Sequence, residues 1–212
     1  MHPKSTKTPS GSPGRRRPSA ARARILATAD RLFYDNGIRA VGVHRVVEEA
    51  EVTRVTLYRH FPSKDDLVQA YLMDRAAENE RLITAIIDQH PDDPRQALRA
   101  MCELVAAGGF ATEYRGCAFI NAAAEHGDRD HPARTVVTRH RQWVTAAMAG
   151  LLEQAGHPTA AATAEMLMML RTGAVVSAAL DDADDVDVNF LRACALLLDA
   201  TLAPPGQVRA ES

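Results

Sequence analysis

The 212-residue sequence predicts an all-α fold, on three observations. Apolar residues recur at helical spacing from Ser19 onward, as at Ile25, Leu26, Ala29, Leu32 and Phe33. Aromatic residues make up only 5% of the chain and alanine is abundant, which suits close-packed helices better than a β-sandwich. No stretch alternates apolar and polar residues at the strand period.

Each element follows from its local pattern. Residues 1–18 (MHPKSTKTPSGSPGRRRP) have no apolar period and read as a disordered basic tail. The first helix starts at Ser19 and ends at Asn36-Gly37, a C-cap signal. Val43, Val46, Val47 and Ala50 make a short second helix. A third spans about 54–60, with Thr53 as its N-cap and Pro62 as its stop. Ser63 caps a fourth, whose first turn carries Asp65 and Asp66 at the positive end of the helix dipole, and which runs to the break "HPDDP" at 90–94. Further helices are predicted at about 95–113, 116–126, 132–155, 159–181 and 187–203, with residues 205–212 as a flexible tail. The breaks fall at 114–116, at "HGDRDHP" (126–132), at "AGHP" (155–158) and at an acidic loop, 181–187.

Charge divides the chain. Up to Lys64 there are 13 Lys/Arg against 5 Asp/Glu; beyond it, 12 against 22. A basic front and an acidic rear point to a polyanion partner for the front alone. The expected location is cytoplasmic, because no apolar run is read as approaching the ~20 residues that span a bilayer and no apolar segment follows the basic start. No membrane partner is expected. Cys102, Cys117 and Cys194 are widely spaced; they read as buried reduced thiols, with a redox-sensing thiol as the sharper alternative.

The informative spacing lies at 43–62. Two short helices are joined by Glu51, Val52 and Thr53, the helix-turn-helix arrangement in which the second helix enters the major groove. At about 100° per residue, Leu57 and Phe61 share the inward face. Val55 and Arg59 then project outward, flanked by Thr56 and Tyr58. Arginine bridges guanine N7 and O6, while valine or a tyrosine ring meets a thymine methyl. Thr53, Arg54, Tyr58 and Lys64 suit phosphates. The competing reading is a charged helical corner on a small-molecule-binding protein with no DNA role.

Residues 23–72, "ARILATADRLFYDNGIRAVGVHRVVEEAEVTRVTLYRHFPSKDDLVQAYL", resemble the N-terminal domain of TetR-family (TetR/AcrR-type) transcriptional regulators, most specifically in "VTRVTLYRHFPSKDDL". The resemblance implies a three-helix DNA-binding domain at 19–66 and a larger helical ligand-binding and dimerisation domain at 67–204. It also implies a homodimer formed mainly by the last two helices. By position, Arg54, Thr56, Tyr58 and His60 match recognition-helix contacts and Lys64 a phosphate contact, although the helical wheel sets His60 nearer the packed side. Two departures stand out. Val41 and Gly42 replace the family's Thr-Ser or Thr-Thr pair at the start of the second helix, leaving Arg45 as a substitute phosphate ligand. Glu51 stands where the family has glycine.

For the larger domain, Leu167, Leu170, Ala174, Ala178 and Leu191, Ala195, Leu198, Leu202 form stripes that would pair two subunits as a four-helix bundle. Phe110, Tyr114, Phe119, Asn121, Trp143, Met148 and Met166 are candidates for the lining of an effector pocket. "EHGDRDH" (125–131) reads as a solvated loop, since no helical histidine spacing fixes a ligand set; neither metal nor cofactor is expected. No nucleophile or metalloprotease motif occurs, so nothing proposes an enzyme. The reading is a ligand-responsive repressor that binds a palindromic operator as a homodimer and is released by a small molecule. An activator with the same domain differs only in where its operator lies relative to the promoter. Arg15–Arg17, with Arg22 and Arg24, form either a DNA-gripping arm or a solubilising tail.

Overall fold

The computed structural model describes residues 19–108, 115–180 and 183–199, and within these the chain is nine α-helices with no strand. Arg15–Arg17, Phe110, Tyr114, Leu202 and the two predicted tails lie outside the described residues.

The N-terminal unit is built by capped helices whose apolar faces converge. Helix α1 (Ala20–Asn36) starts where the Ser19 hydroxyl accepts from the Arg22 amide and ends where Gly37, at φ +87°, donates to the Phe33 carbonyl. Helix α2 (Val43–Glu49) starts on Gly42, which offers no side-chain cap. Val41, the other departure, is fully buried, so this position serves the core and not a helix start. Helix α3 (Arg54–His60) starts on Thr53, whose hydroxyl accepts from the Thr56 amide at 3.1 Å. Helix α4 (Lys64–Gln89) opens with a reciprocal Ser63–Asp66 capping box.

The turn from α2 to α3 is a Schellman motif. Val52 N–H donates to the Val47 carbonyl and Glu51 N–H to the Glu48 carbonyl, at 3.2 and 3.1 Å. That geometry needs a left-handed residue at the central position, and Glu51 takes it at φ +52°. The same motif closes α7, where Gly156 fills the equivalent position at φ +71°.

The remaining helices are α5 (Pro94–Gly108), α6 (Ala118–Glu125), α7 (Pro132–Gln154), α8 (Ala160–Leu180) and α9 (Ala183–Asp199). Helix α9 begins four residues before its predicted start. The acidic run there is helix, since carboxylates near a helix N-terminus are favoured by its dipole. Helix α8 also corrects the expectation that no apolar segment is long enough to cross a membrane: by length and composition this 21-residue helix is. Here it packs between α7 and α9, burying Ala164, Leu167, Met168, Ala174 and Val175.

Two apolar cores result. One joins α1–α4 to Ala118, Phe119 and Ala122 of α6 and to Ala133 and Val136 of α7. The other holds α5, α7, α8 and α9 with Ile83 of α4. Helix α4 enters both, through Leu67, Val68, Tyr71 and Leu72 at one end and Ile83 at the other. The stripe predicted for dimerisation is largely this second core: Leu167, Ala174 and Leu198 are buried within the subunit. The outward apolar side of the last two helices is instead Met169, Val176 and Leu180 with Val188 and Leu196. Both sets have helical spacing, so periodicity alone did not separate them.

Polar contacts fasten α6 to the N-terminal unit. Glu125 accepts from the amides of Ile38 and Arg39, at 2.9 and 2.6 Å. Tyr34 donates to the Gly116 carbonyl at 3.1 Å, and His131, the N-cap of α7, lies 3.6 Å from Asp65. On α4, Arg75 grips both oxygens of Asp30 on α1 and stacks over Tyr34.

Relieving the left-handed strain should stabilise the fold. Glu51→Gly is expected to add about 1–2 kcal/mol, which for a chain of this size raises Tm by about 2–8 °C. Thermal unfolding followed by circular dichroism checks this, and a lower Tm would mean that the Glu51 side chain holds a contact of its own.

Candidate nucleic-acid interface and effector cavity

The exposed face of α3 follows from its inward anchors. Leu57 and Phe61 are buried, so the residues between them on the helix turn outward. Arg54 and Arg59 are exposed, and so are two side chains that a protein surface seldom leaves bare, Val55 at 77% and Tyr58 at 45%. An uncovered valine and tyrosine between two guanidiniums place on one surface the side-chain types that suit thymine methyls, guanine and phosphate.

The neighbours differ in freedom. Thr56 is half-buried, its hydroxyl 2.9 Å from that of Thr53. His60 is turned toward α1, where Nε2 meets the Ser19 hydroxyl at 3.1 Å. Beside it, the Arg22 guanidinium lies 5.1 Å over the Phe61 ring. Both contacts brace the end of α3 against the start of α1. Arg45 is bound at 2.9 Å to Glu49, which also takes Arg31. The hydrogen bonds from Arg31 and then Arg45 hold the Glu49 carboxyl below its ordinary range. Lys64 is half-buried; burial pushes its ammonium down, against the opposing pull of Glu125 and Asp65.

Behind this face, between the two cores, lies a cavity of about 840 Å³. Its wall is made by helix stripes four residues apart: His140, Val144 and Met148 on α7, and Leu167, Arg171 and Val175 on α8. Leu26 and Tyr34 of α1, Asn79 and Ile83 of α4 and Phe119 of α6 complete the side toward the N-terminal unit. Of the predicted lining residues, Phe119 and Met148 are on the wall. Trp143 is not: one residue from Val144 it turns about 100° away, into a shallow surface hollow with Ala77 and Arg81 of α4. Met166 misses by the same step beside Leu167. Asn121 is spent locally, donating to the Arg115 carbonyl at 2.8 Å.

Three polar groups on the wall, His140, Arg171 and Asn79, escaped the sequence reading. The signal was present, since His140 and Arg171 interrupt apolar stripes at helical spacing. His140 is 5% exposed and its ring stacks on Phe119 with centroids 4.2 Å apart. Its Nε2 faces the Asn79 amide nitrogen at 3.4 Å, and Nδ1 has no partner among the described residues. Burial, and then the Arg171 charge, push its imidazolium down from 6.5 to about 4, so the ring is neutral in the fold. The lining also includes Tyr34 and the charged Arg22, Asp30, Asp74, Arg75 and Glu78, so the cavity suits a largely apolar small molecule that bears several hydrogen-bonding groups.

The segment 125–131 forms no such site. Glu125 serves the amides of Ile38 and Arg39, His126 bonds the Ala122 carbonyl, and His131 caps α7.

Comparison with known proteins settles the class. A profile of bacterial regulatory proteins of the tetR family matches residues 25–71. The crystal structure of a TetR-family transcriptional regulator from Streptomyces coelicolor superposes with a TM-score of 0.81 at 40% identity, covering 86% of this chain and 96% of that one. The chain belongs to the TetR family of transcriptional regulators. TetR-family members are regulators and not enzymes. The transcriptional regulator TtgR of Pseudomonas putida is 34% identical over 80 residues, and the uncharacterised regulator YxaF of Bacillus subtilis 30% over 118. The matched segments span 38% and 61% of those two relatives. The TetR resemblance carried by the motif at 52–67 therefore holds, as does the all-α fold.

The buried imidazole makes a pH prediction. A histidine held neutral while its unfolded counterpart titrates near 6.5 contributes its full stability above that value and loses it as pH falls toward about 4. The loss is on the order of 3 kcal/mol. In melts recorded across this range, His140→Phe should show a shallower fall of Tm than the parent, and parallel curves would refute the assignment.

Proposed function

We propose that this TetR-family protein is a homodimeric repressor that occupies a palindromic operator and is released when a largely apolar small molecule fills the cavity. The observation that carries this reading is the position of the cavity. Its wall includes α1, on which α3 is seated, and α4, which packs against α1. A ligand that favours one spacing of these helices over another shifts the population of the DNA-competent form by its differential affinity. Two copies of α3 must sit about 34–36 Å apart, or a multiple of it, to enter successive major grooves on one side of the duplex.

The exposed face supplies the contacts. Arg59, Val55 and Tyr58 read bases; Arg54, Thr53 and Lys64 hold phosphates, with Thr56 at the edge. Arg45 contributes a guanidinium already oriented by Glu49. His60 acts by fixing the end of α3 through Ser19. The subunits join through the outer side of α8 and α9, where Met169, Val176, Leu180, Val188 and Leu196 leave apolar surface in water. The protein works in the cytoplasm, where the operator is.

Binding to the palindrome upstream of the gene, measured by fluorescence anisotropy, tests the interface. Tyr58→Ala and Arg59→Ala should each cost about 1–3 kcal/mol, while Lys64→Ala weakens binding across all sequences and lowers the salt slope by about 1. Undiminished affinity in both of the first two variants would remove the DNA-reading role. Leu180→Glu with Leu196→Glu should give a folded monomer by light scattering; a persistent dimer would place the subunit contact elsewhere.

A further inference from the structure

The charged groups that border the cavity are not equivalent. On α1 and α4 most of them have partners: Asp30 holds Arg75, Glu78 holds Arg81, and Arg22 lies over the Phe61 ring. Asp74 is exposed, and the Tyr34 hydroxyl is engaged with the Gly116 carbonyl. Arg171 on α8 differs. It is half-buried, and no carboxylate lies within ion-pair distance of it among the described residues.

The packing of α7 on α8 fixes where Arg171 stands. One residue further along each helix, the Arg141 guanidinium donates to the Thr172 hydroxyl at 2.9 Å, and that hydroxyl donates to the Met168 carbonyl. This bond sets His140 and Arg171 close to one level of the two helices, on the wall of the same cavity. Asn79 joins them from α4, its amide nitrogen 3.4 Å from His140 Nε2. An amide nitrogen donates, so Nε2 of the neutral ring accepts and the ring proton sits on Nδ1. That N–H has no partner among the described residues and is covered by the side chains around it. A guanidinium and an imidazole N–H thus share one level of the wall as donors, and neither has a protein acceptor among the described residues.

Away from this level the wall is apolar. Val144 and Met148 follow His140 by one and two turns of α7. The two helices run in opposite directions, so Leu167, one turn before Arg171, lies on the same side. Met101 of α5 and Phe190 of α9 belong to this core too.

We propose that the cavity takes a monocarboxylate with an apolar body about 12 Å long, the length of two helical turns and a little more. Its carboxylate is held by Arg171, one oxygen also accepting from His140 Nδ1, and its body lies along Val144, Met148 and Leu167. The planar guanidinium meets a carboxylate with paired hydrogen bonds that an alcohol cannot match. A dianion would leave one charge buried without a partner, and an ammonium would meet Arg171 as a like charge. To reach Nδ1 the carboxylate must shift the side chains that cover it. Phe119, stacked on that ring, belongs to the core beneath α1 to α3, so occupancy of this level bears on the DNA-reading unit.

This inference rests on the reading of the cavity as a small-molecule site, and the two are tested apart. Decanoate, 1-decanol and decylamine share an apolar body and differ in the head group. In calorimetric titrations of the full-length protein, decanoate should bind about tenfold more tightly than 1-decanol, and decylamine more weakly than either. Arg171→Gln should bind decanoate about as weakly as the parent binds 1-decanol, and His140→Phe should lose part of the preference. A crystal structure of the parent with decanoate, which depends on no variant, should place the carboxylate against Arg171. Equal binding of decanoate and 1-decanol, an Arg171→Gln protein that keeps the preference, or a carboxylate seated on another cation would overturn the assignment and leave the cavity reading standing. If none of the three compounds binds, both fall.

Discussion

Helices α1 to α3 do not bury their own apolar faces, and the rest of the molecule is arranged around that deficit. A unit this short cannot enclose a core alone. Its inward residues, from Ile25 to Phe61, are covered by the first turns of α4 and by Phe119, Ala122, Ala133 and Val136 of α6 and α7. The segment that reads DNA is thus packed on the segment that shapes the cavity. Any rearrangement of α6 or α4 must either carry α1 to α3 with it or expose their core.

The cavity occupies the gap that this arrangement leaves between the two cores. It is bordered on one side by α1, on which α3 is seated, and on the other by helices of the proposed subunit contact. Its buried polar groups are costly to leave without partners. His140 is kept neutral by burial beside Arg171, and a ligand that hydrogen-bonds these groups offsets part of that cost. Chemistry and mechanics meet at one place: the residues that line the cavity also set the spacing of α1, α4 and α6.

Local physics was legible in the sequence; long-range geometry was legible only in part. Ser19, Thr53, Ser63, Pro62 and Asn36-Gly37 marked helix ends that the structure places within a residue or so, because capping is a short-range event. Glu51 stood out because it replaces the family's glycine, and the structure puts it in the left-handed region that glycine favours. The cavity wall needed the mutual rotation of α7 and α8, so Trp143 and Met166 were taken where Val144 and Leu167 belong. The buried stripe through Leu167 and Leu198 was read as an outer surface because inner and outer stripes share one period. Glu125 carried no sequence signal: its partners are backbone amides 86 and 87 positions away, and any residue there supplies those.

That separation bears on how the chain is made. Synthesis runs from the N-terminus, and domains ordinarily fold as they emerge. Here the amides of Ile38 and Arg39 leave the ribosome long before the carboxylate that accepts from them, and Ile25 and Leu32 before the Phe119 ring that helps to cover them. The DNA-reading helices therefore wait, incompletely closed, until α6 and α7 have been translated, and a nascent chain stopped short of residue 136 holds an open core and no finished operator-binding surface.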